Sequence, residues 1–241
     1  MKRHFTGLTD TGVVRTVNQD NYFIDDPQGR FFIVADGMGG HAGGQEASKI
    51  ATEEIRSYLV EHWDTDTTSE VLLTEAVNKA NEGILKDQQS HPERGDMGTT
   101  VVVLIFRDNC TWCAHVGDSR LYRLRDSQLE QITEDHTWVG MALKAGEISK
   151  EQAKFHPWRH VLSQCLGRKD LQRIDIQKLD VRLGDRLLIC SDGLTEEVSD
   201  EIIESLLAQE DISHLSGEKL IAAAKEAGGS DNITVVIVAE N

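Results

Sequence analysis

The chain has 241 residues, 39% of them hydrophobic and 27% charged, which is enough apolar material for a sizeable core and excludes a disordered chain. Its formal net charge of −16 excludes nucleic acid and an anionic membrane as main partners, and any anionic substrate must be drawn in locally by an arginine or a metal ion. No apolar stretch follows Met1-Lys2-Arg3-His4-Phe5-Thr6-Gly7, and the longest apolar run, Val101 to Phe106, is strand-sized, so neither an export signal nor a membrane span is expected and the cytoplasm is the expected compartment.

In chain order, the first segment reads as strand, loop, strand: Gly7 to Thr9, a polar stretch through Asn18-Gln19-Asp20-Asn21, then Phe31 to Ala35. Beyond a glycine-rich turn, Ala47, Ile50, Ala51, Ile55, Tyr58 and Leu59 recur at helical spacing and predict a helix over about 44–60. Leu73, Ala76, Val77, Ala80 and Ile84 predict a second over about 68–88, with Thr67 and Glu70 as a capping box. The pattern then turns to strands at Thr99–Phe106 and Thr111–Val116. A hairpin follows, Leu121–Arg125 with Gln128–Ile132, around Asp126-Ser127. Residues 136–168 break this pattern with three histidines, two tryptophans and one short helical stretch near Ser149–Lys154. Strands resume at Ile174–Leu179 and Arg186–Cys190; helices are expected near 199–208 and 217–226, and Ile233–Val238 closes the chain as a strand. Strands in runs and helices in pairs, without βαβ alternation, indicate antiparallel sheet covered by helices, an α+β class in one domain over 1–241.

Of the four cysteines, Cys110 and Cys113 have C-x-x-C spacing, but residues three apart on a strand face opposite sides and no second pair completes a zinc set. Packed, reduced thiols are expected.

Asp36, Asp118, Asp192 and Asp231 each stand where an apolar strand-like run ends in a tight turn. An aspartate at a turn is ordinary, because its side chain bonds local backbone. If the fold gathers all four, they form a bowl of carboxylates, and two unit charges ~4 Å apart repel by ~4 kcal/mol at an effective dielectric near 20. Either their pKa values rise or hard cations sit among them. The available ligands are all oxygen, with Asp20, the Gly37 carbonyl and Glu196 nearby, which suits Mg²⁺ or Mn²⁺ rather than zinc or copper. Arg15 offers a planar fork for a phosphate, and His41 a proton near neutral pH. Taken singly, each has an ordinary reading as a solvated charge or a loop histidine; together they point to phosphoryl chemistry.

The combination Arg15-x-x-Asn18-Gln19-Asp20, Val34-Ala35-Asp36-Gly37-Met38-Gly39-Gly40-His41, Met97-Gly98-Thr99-Thr100, Gly117-Asp118-Ser119-Arg120, Ser191-Asp192-Gly193-Leu194 and Ser230-Asp231-Asn232-Ile233-Thr234 resembles the PPM family, the metal-dependent protein serine/threonine phosphatases of type 2C in their short bacterial form. The motifs stand in family order over about 5–239. The resemblance implies a four-layer α-β-β-α sandwich of two antiparallel sheets flanked by helix pairs, with a small flap subdomain over about 136–165 linked to substrate choice. It implies two central Mg²⁺ or Mn²⁺ ions held by Asp36, Gly37, Asp192 and Asp231, and a third, weaker ion associated with Asp118 and Asp192. Many relatives carry Asp where this chain has Glu196, whose longer arm argues against direct coordination there. Asp20 matches a residue binding metal-held water, Arg15 the phosphate-binding arginine and His41 the general acid; His160, in the flap, is assigned to substrate binding. The expected reaction is attack of a metal-bridging water on phosphoserine or phosphothreonine of a protein, by a monomer. The nearest resemblance is to small cyanobacterial members acting on the phosphorylated PII signalling protein. An aspartyl-nucleophile phosphatase is disfavoured because Asp36 lacks a D-x-D arrangement. A silent phosphoprotein-binding domain is disfavoured because the metal carboxylates and Arg15 are in place.

Overall fold

The central strands bury both of their faces, and the two faces go to different layers. Along Phe31–Met38, Phe31, Ile33 and Ala35 pack in one apolar cluster while Phe32 and Val34 pack in another. Along Val101–Arg107, Val101, Val103 and Ile105 join the first cluster, and Val102 and Leu104 the second. The same period-two split separates Ile233, Val235 and Ile237 from Val236 and Val238 in the last strand. Continuous apolar runs of this kind require cover on both sides.

The computed structural model, which describes residues 3–40, 42–209 and 214–240, supplies that cover with two sheets and seven helices. One sheet orders β1 (Arg3–Asp10), β11 (Ile233–Glu240), β10 (Arg186–Cys190), β7 (Arg120–Arg125) and β8 (Gln128–Gln131). The other orders β2 (Asp20–Ile24), β3 (Phe31–Met38), β5 (Val101–Arg107), β6 (Cys110–Val116) and β9 (Asp175–Leu179), with β4 (Gly98–Thr99) also on β3. Every pairing is antiparallel. Phe32, Val34, Val102, Leu104, Leu121, Leu187, Ile189, Val236 and Val238 fill the layer between the sheets. Helices α1 (Gly43–His62) and α2 (Ser69–Ser90) cover one outer face; α5 (Asp192–Thr195), α6 (Asp200–Leu207) and α7 (His214–Ala227) cover the other. The four layers expected from the resemblance are present. Helices α3 (Trp138–Lys144) and α4 (Lys150–Lys154) lie in the segment that breaks the pattern.

Three local expectations need correction. The polar stretch at 18–21 is not all loop, because Asp20 opens β2, whose register against β3 runs from Asp20 opposite Asp36 to Ile24 opposite Phe32. Pairing with a buried neighbour overrides its polar start. The cap of α2 is Thr68, whose side chain accepts the Val71 N–H, not Thr67. The flap holds a helix at Trp138–Lys144 besides the expected one; Thr137 caps it through the Gly140 N–H at 3.0 Å. The hairpin at Asp126-Ser127 is as expected, with φ of 50° and 60° at the two turn residues, the left-handed pair that matches strand twist. All four cysteines are free, three of them buried.

Candidate active site

Strand ends bring the carboxylates to one end of the sandwich. Register places Asp20 opposite Asp36 across β2 and β3. Asp118 follows β6, Asp192 opens α5 directly after β10, and Asp231 stands before β11, so both sheets contribute. The Asp36 carboxylate lies among those of Asp20, Asp192 and Asp118 and interacts with each of them. Burial, then the charges of Asp20, Asp192 and Asp118, push Asp36 well above the usual carboxylate range. Asp118 is raised by burial and by Asp192, and Asp192 by burial and by Asp231. Burial raises Asp20 to about 7, even though the hydroxyls of Thr234 and Ser191 favour its ionised form.

Those hydroxyls are the frame of the site. Ser191 Oγ and Thr234 Oγ1 donate to Asp20 Oδ2 at 2.7 and 2.6 Å, tying β2 to the other sheet. The opposite oxygen, Asp20 Oδ1, is buried and has no hydrogen-bond partner. Thr100 Oγ1 accepts the Asp36 N–H at 3.1 Å and shares a hydrogen bond with Ser119 Oγ at 2.7 Å, which joins the Asp36 and Asp118 turns. A Cβ on Gly37 would come within 1.9 Å of the Gly44 carbonyl oxygen, so only glycine lets the start of α1 meet the end of β3 here.

Arg15 sits on the loop between β1 and β2 and donates from Nη2 to Asp231 Oδ2 at 2.7 Å. Asn232 holds that loop: its Nδ2 donates to the carbonyls of Thr11 and Val17 at 2.9 and 3.0 Å, and its Oδ1 accepts the Gln19 N–H at 2.7 Å. Thr100, Ser119, Ser191, Asn232 and Thr234 stand within the motifs, but the sequence alone assigns them no role. The available signal was that each small polar residue adjoins or lies within three positions of a turn aspartate, or pairs with one across strands. On the flap side, His160 Nδ1 pairs with Glu196 Oε1, and one donor atom from each of His160, Asp192 and Glu196 lies within 4.8 Å of the others. Burial and the Asp192 charge push Glu196 up to about 7. His41 lies outside the described residues.

The structure thus brings together Asp20, Asp36, Asp118, Asp192 and Asp231, with Arg15 on one side and His160 on the other. Among the described residues, no Lys or Arg side chain pairs with Asp20, Asp36, Asp118 or Asp192. Partly exposed carboxylates around a buried, orphaned oxygen form an oxygen-only donor set, which fits hard divalent cations.

Comparison with known proteins places the chain in a family. The family described as Protein phosphatase 2C matches residues 13–226. Protein phosphatase PhpP of Streptococcus pneumoniae is 37% identical over 238 residues, covering 97% of this chain and 96% of its own length. Serine/threonine protein phosphatase PstP of Mycobacterium tuberculosis is 36% identical over 97% of this chain, which spans 44% of that protein's length. The crystal structure of PstP superposes with a TM-score of 0.89 at 35% identity, covering 99% of both chains. The PstP catalytic domain in complex with two manganese ions gives a TM-score of 0.86 at 33% identity, over 98% and 97% of the two chains. By sequence and fold alike, the chain belongs to the protein phosphatase 2C family.

Proposed function

We propose that the chain is a cytoplasmic, metal-dependent protein serine/threonine phosphatase that hydrolyses phosphoserine and phosphothreonine without a phosphoenzyme. The observation that carries this reading is the set of mutually repelling carboxylates from both sheets, of which Asp20, Asp36, Asp118 and Asp192 form no ion pair with a Lys or Arg among the described residues. Asp36, the Gly37 carbonyl, Asp192 and Asp231 would hold two Mg²⁺ or Mn²⁺ ions, with Asp118 and Asp192 serving a third. Bound there, the ions supply Lewis acidity and lower the pKa of water enough for attack on phosphorus at neutral pH.

The chain's own groups divide the remaining work. Asp20 Oδ1, buried and without a partner, orients a water of the site. Arg15, already turned toward Asp231, presents its guanidinium fork to the phosphoryl oxygens and opposes their developing charge. His41 donates a proton to the leaving serine or threonine oxygen. His160 faces the substrate from the flap. Two features support water rather than a side chain as nucleophile. The Ser191 hydroxyl is buried and committed to Asp20. Burial pushes the Cys113 and Cys190 thiols up to about 12, so neither is a thiolate at neutral pH. The phosphoprotein is the partner, and phosphorylated PII is the first to test; the active species is the monomer.

The test is hydrolysis of p-nitrophenyl phosphate and a phosphoserine peptide with Mn²⁺, with Mg²⁺ or with EDTA. Turnover of both that EDTA abolishes and Mn²⁺ restores is expected; no metal-dependent turnover of either would refute the reading.

A further inference from the structure

Beside the acidic site lies a second group of titratable side chains, His115, His136 and Asp175, with one donor atom of each within 4.8 Å of the others. Their hydrogen bonds argue against a metal there. Gly117 N–H donates to His136 Nδ1 at 3.2 Å, so that nitrogen carries the lone pair and the neutral ring's proton is on Nε2, facing Asp175 Oδ2 at 3.4 Å. With one lone pair engaged and the other nitrogen protonated, His136 has none left for a cation. The Arg173 guanidinium forms an ion pair with Asp175 and offsets its charge. The rings of His115 and His136 are stacked, with centroids 4.6 Å apart.

What these contacts do hold is the turn that carries Asp118. His136 grips Gly117 twice, because its own backbone N–H also donates to the Gly117 carbonyl at 2.9 Å. Gly117 is a demanding position: its φ is +109°, and a Cβ there would lie 2.6 Å from Thr100. The backbone therefore needs external support in this conformation, and the His136 ring supplies it from one side while Ser119 and Thr100 supply it from the other. His136 is also where the flap leaves the sheets. Ser163 N–H donates to the His136 carbonyl at 2.8 Å, and Trp138 N–H to the Val161 carbonyl at 2.8 Å, which close the flap's root. His115, 2% exposed, backs the ring from β6 and fixes its own orientation through Nε2 and the Glu134 carbonyl at 2.9 Å.

We propose that His136 is a positioning residue for the Asp118 carboxylate, and through it for the third cation, by clamping Gly117 from the flap root. This rests on the reading of the acidic site as a divalent-cation centre. The clamp couples the outer cation to the flap: a displacement of the root at 136–138 reaches Asp118 through a single glycine.

The experiment combines ¹⁵N NMR of the histidine rings with Mn²⁺ titration calorimetry of the wild type, H136N, H136F, D118N and the H136F/D118N double variant. His136 should appear as the neutral Nε2–H tautomer. H136F should weaken the weakest Mn²⁺ site by about tenfold or more, as lost outer partners of metal ligands do, while the tighter ions bind as before. H136N, whose amide oxygen can accept the Gly117 N–H, should restore binding to within about threefold of the wild type. In the D118N background H136F should have no further effect. H136Q, whose amide lies one bond too far out, replaces H136F if that variant does not fold. An Nδ1–H tautomer, unchanged Mn²⁺ binding in H136F, or additive losses in the double variant would each overturn the proposal. Absence of Mn²⁺ binding in the wild type would instead overturn the cation-centre reading, and the tautomer would still decide whether the clamp exists.

Discussion

Two populations of buried or half-buried aspartates occupy this molecule, and their surroundings are opposite. Asp25, Asp135 and Asp185 each receive a two-pronged arginine fork, from Arg30, Arg120 and Arg125 respectively, with N to O distances between 2.6 and 3.2 Å. Asp20, Asp36, Asp118 and Asp192 receive hydroxyls, backbone and one another. The consequence is visible in their proton affinities. Burial alone would raise Asp185, yet Arg125 and the Arg182 N–H hold it below the usual carboxylate range. At the acidic end burial and repulsion act in the same direction, and Asp36, Asp118 and Asp192 all rise. The chain therefore pairs Asp25, Asp135 and Asp185 with arginine, whereas at the acidic end only Asp231 has an arginine partner, Arg15, among the described residues. On the proposed reading, divalent cations would supply the rest of the counter-charge at that end.

Substitutions that separate the two populations give the sharpest contrast. Asp192→Asn should lower Mn²⁺-dependent turnover by at least about 10³-fold, more than the 10–100-fold of an outer partner, while the melting temperature in EDTA stays equal or rises. Arg125→Leu should act in reverse. It leaves Asp185, 2% exposed, without its main partner and should cost ~2 kcal/mol, a fall in Tm of about 4–8 °C, with turnover retained. A large stability loss in the first variant or an activity loss in the second would erase the distinction between the two populations.

A smaller effect reads the repulsion itself. Unfolded, Asp20 titrates near 3.8; folded, at about 7. Between those values the folded state holds the extra proton, so in EDTA the contribution of this group to stability is fully present below about pH 4 and is lost as pH rises toward 7. Asp36→Asn removes one of the repelling charges and should raise Tm in EDTA at pH 7.5 by ~2–4 °C, equivalent to ~1 kcal/mol. Saturating Mn²⁺ should reverse the order, making the wild type the more stable protein. Equal ranking with and without Mn²⁺ would mean that the carboxylates do not share a cation.

Much of this was legible from residue order alone, and the limits have physical causes. Asp118 and Asp192 were legible because they closely follow the apolar strands β6 and β10, whereas Asp36 lies inside β3 and Asp231 follows α7 and precedes β11, so the expected strand end does not hold for those two. The strand at Phe31–Ala35 and the hairpin turn at Asp126-Ser127 were local in the same way. Strand β2 was not legible at its start: Asp20 and Asn21 favour loops, and they are strand only because β3 lies alongside. Nor could the sequence assign β7 and β10 to one sheet and β5 and β6 to the other, since that depends on contacts more than fifty residues apart. Asn232 and Ser191 escaped notice for the same reason: their partners, Thr11, Val17 and Gln19 for one and Asp20 for the other, lie at the far end of the chain.

The central claim, that the acidic end takes its counter-charge from divalent cations, is tested most directly by Mn²⁺ titration calorimetry of the metal-stripped wild type beside Asp192→Asn at neutral pH. Two tight binding events in the wild type, at least one of them lost in the variant, are the expected result. No binding to the wild type, or identical titrations of the two proteins, would contradict it.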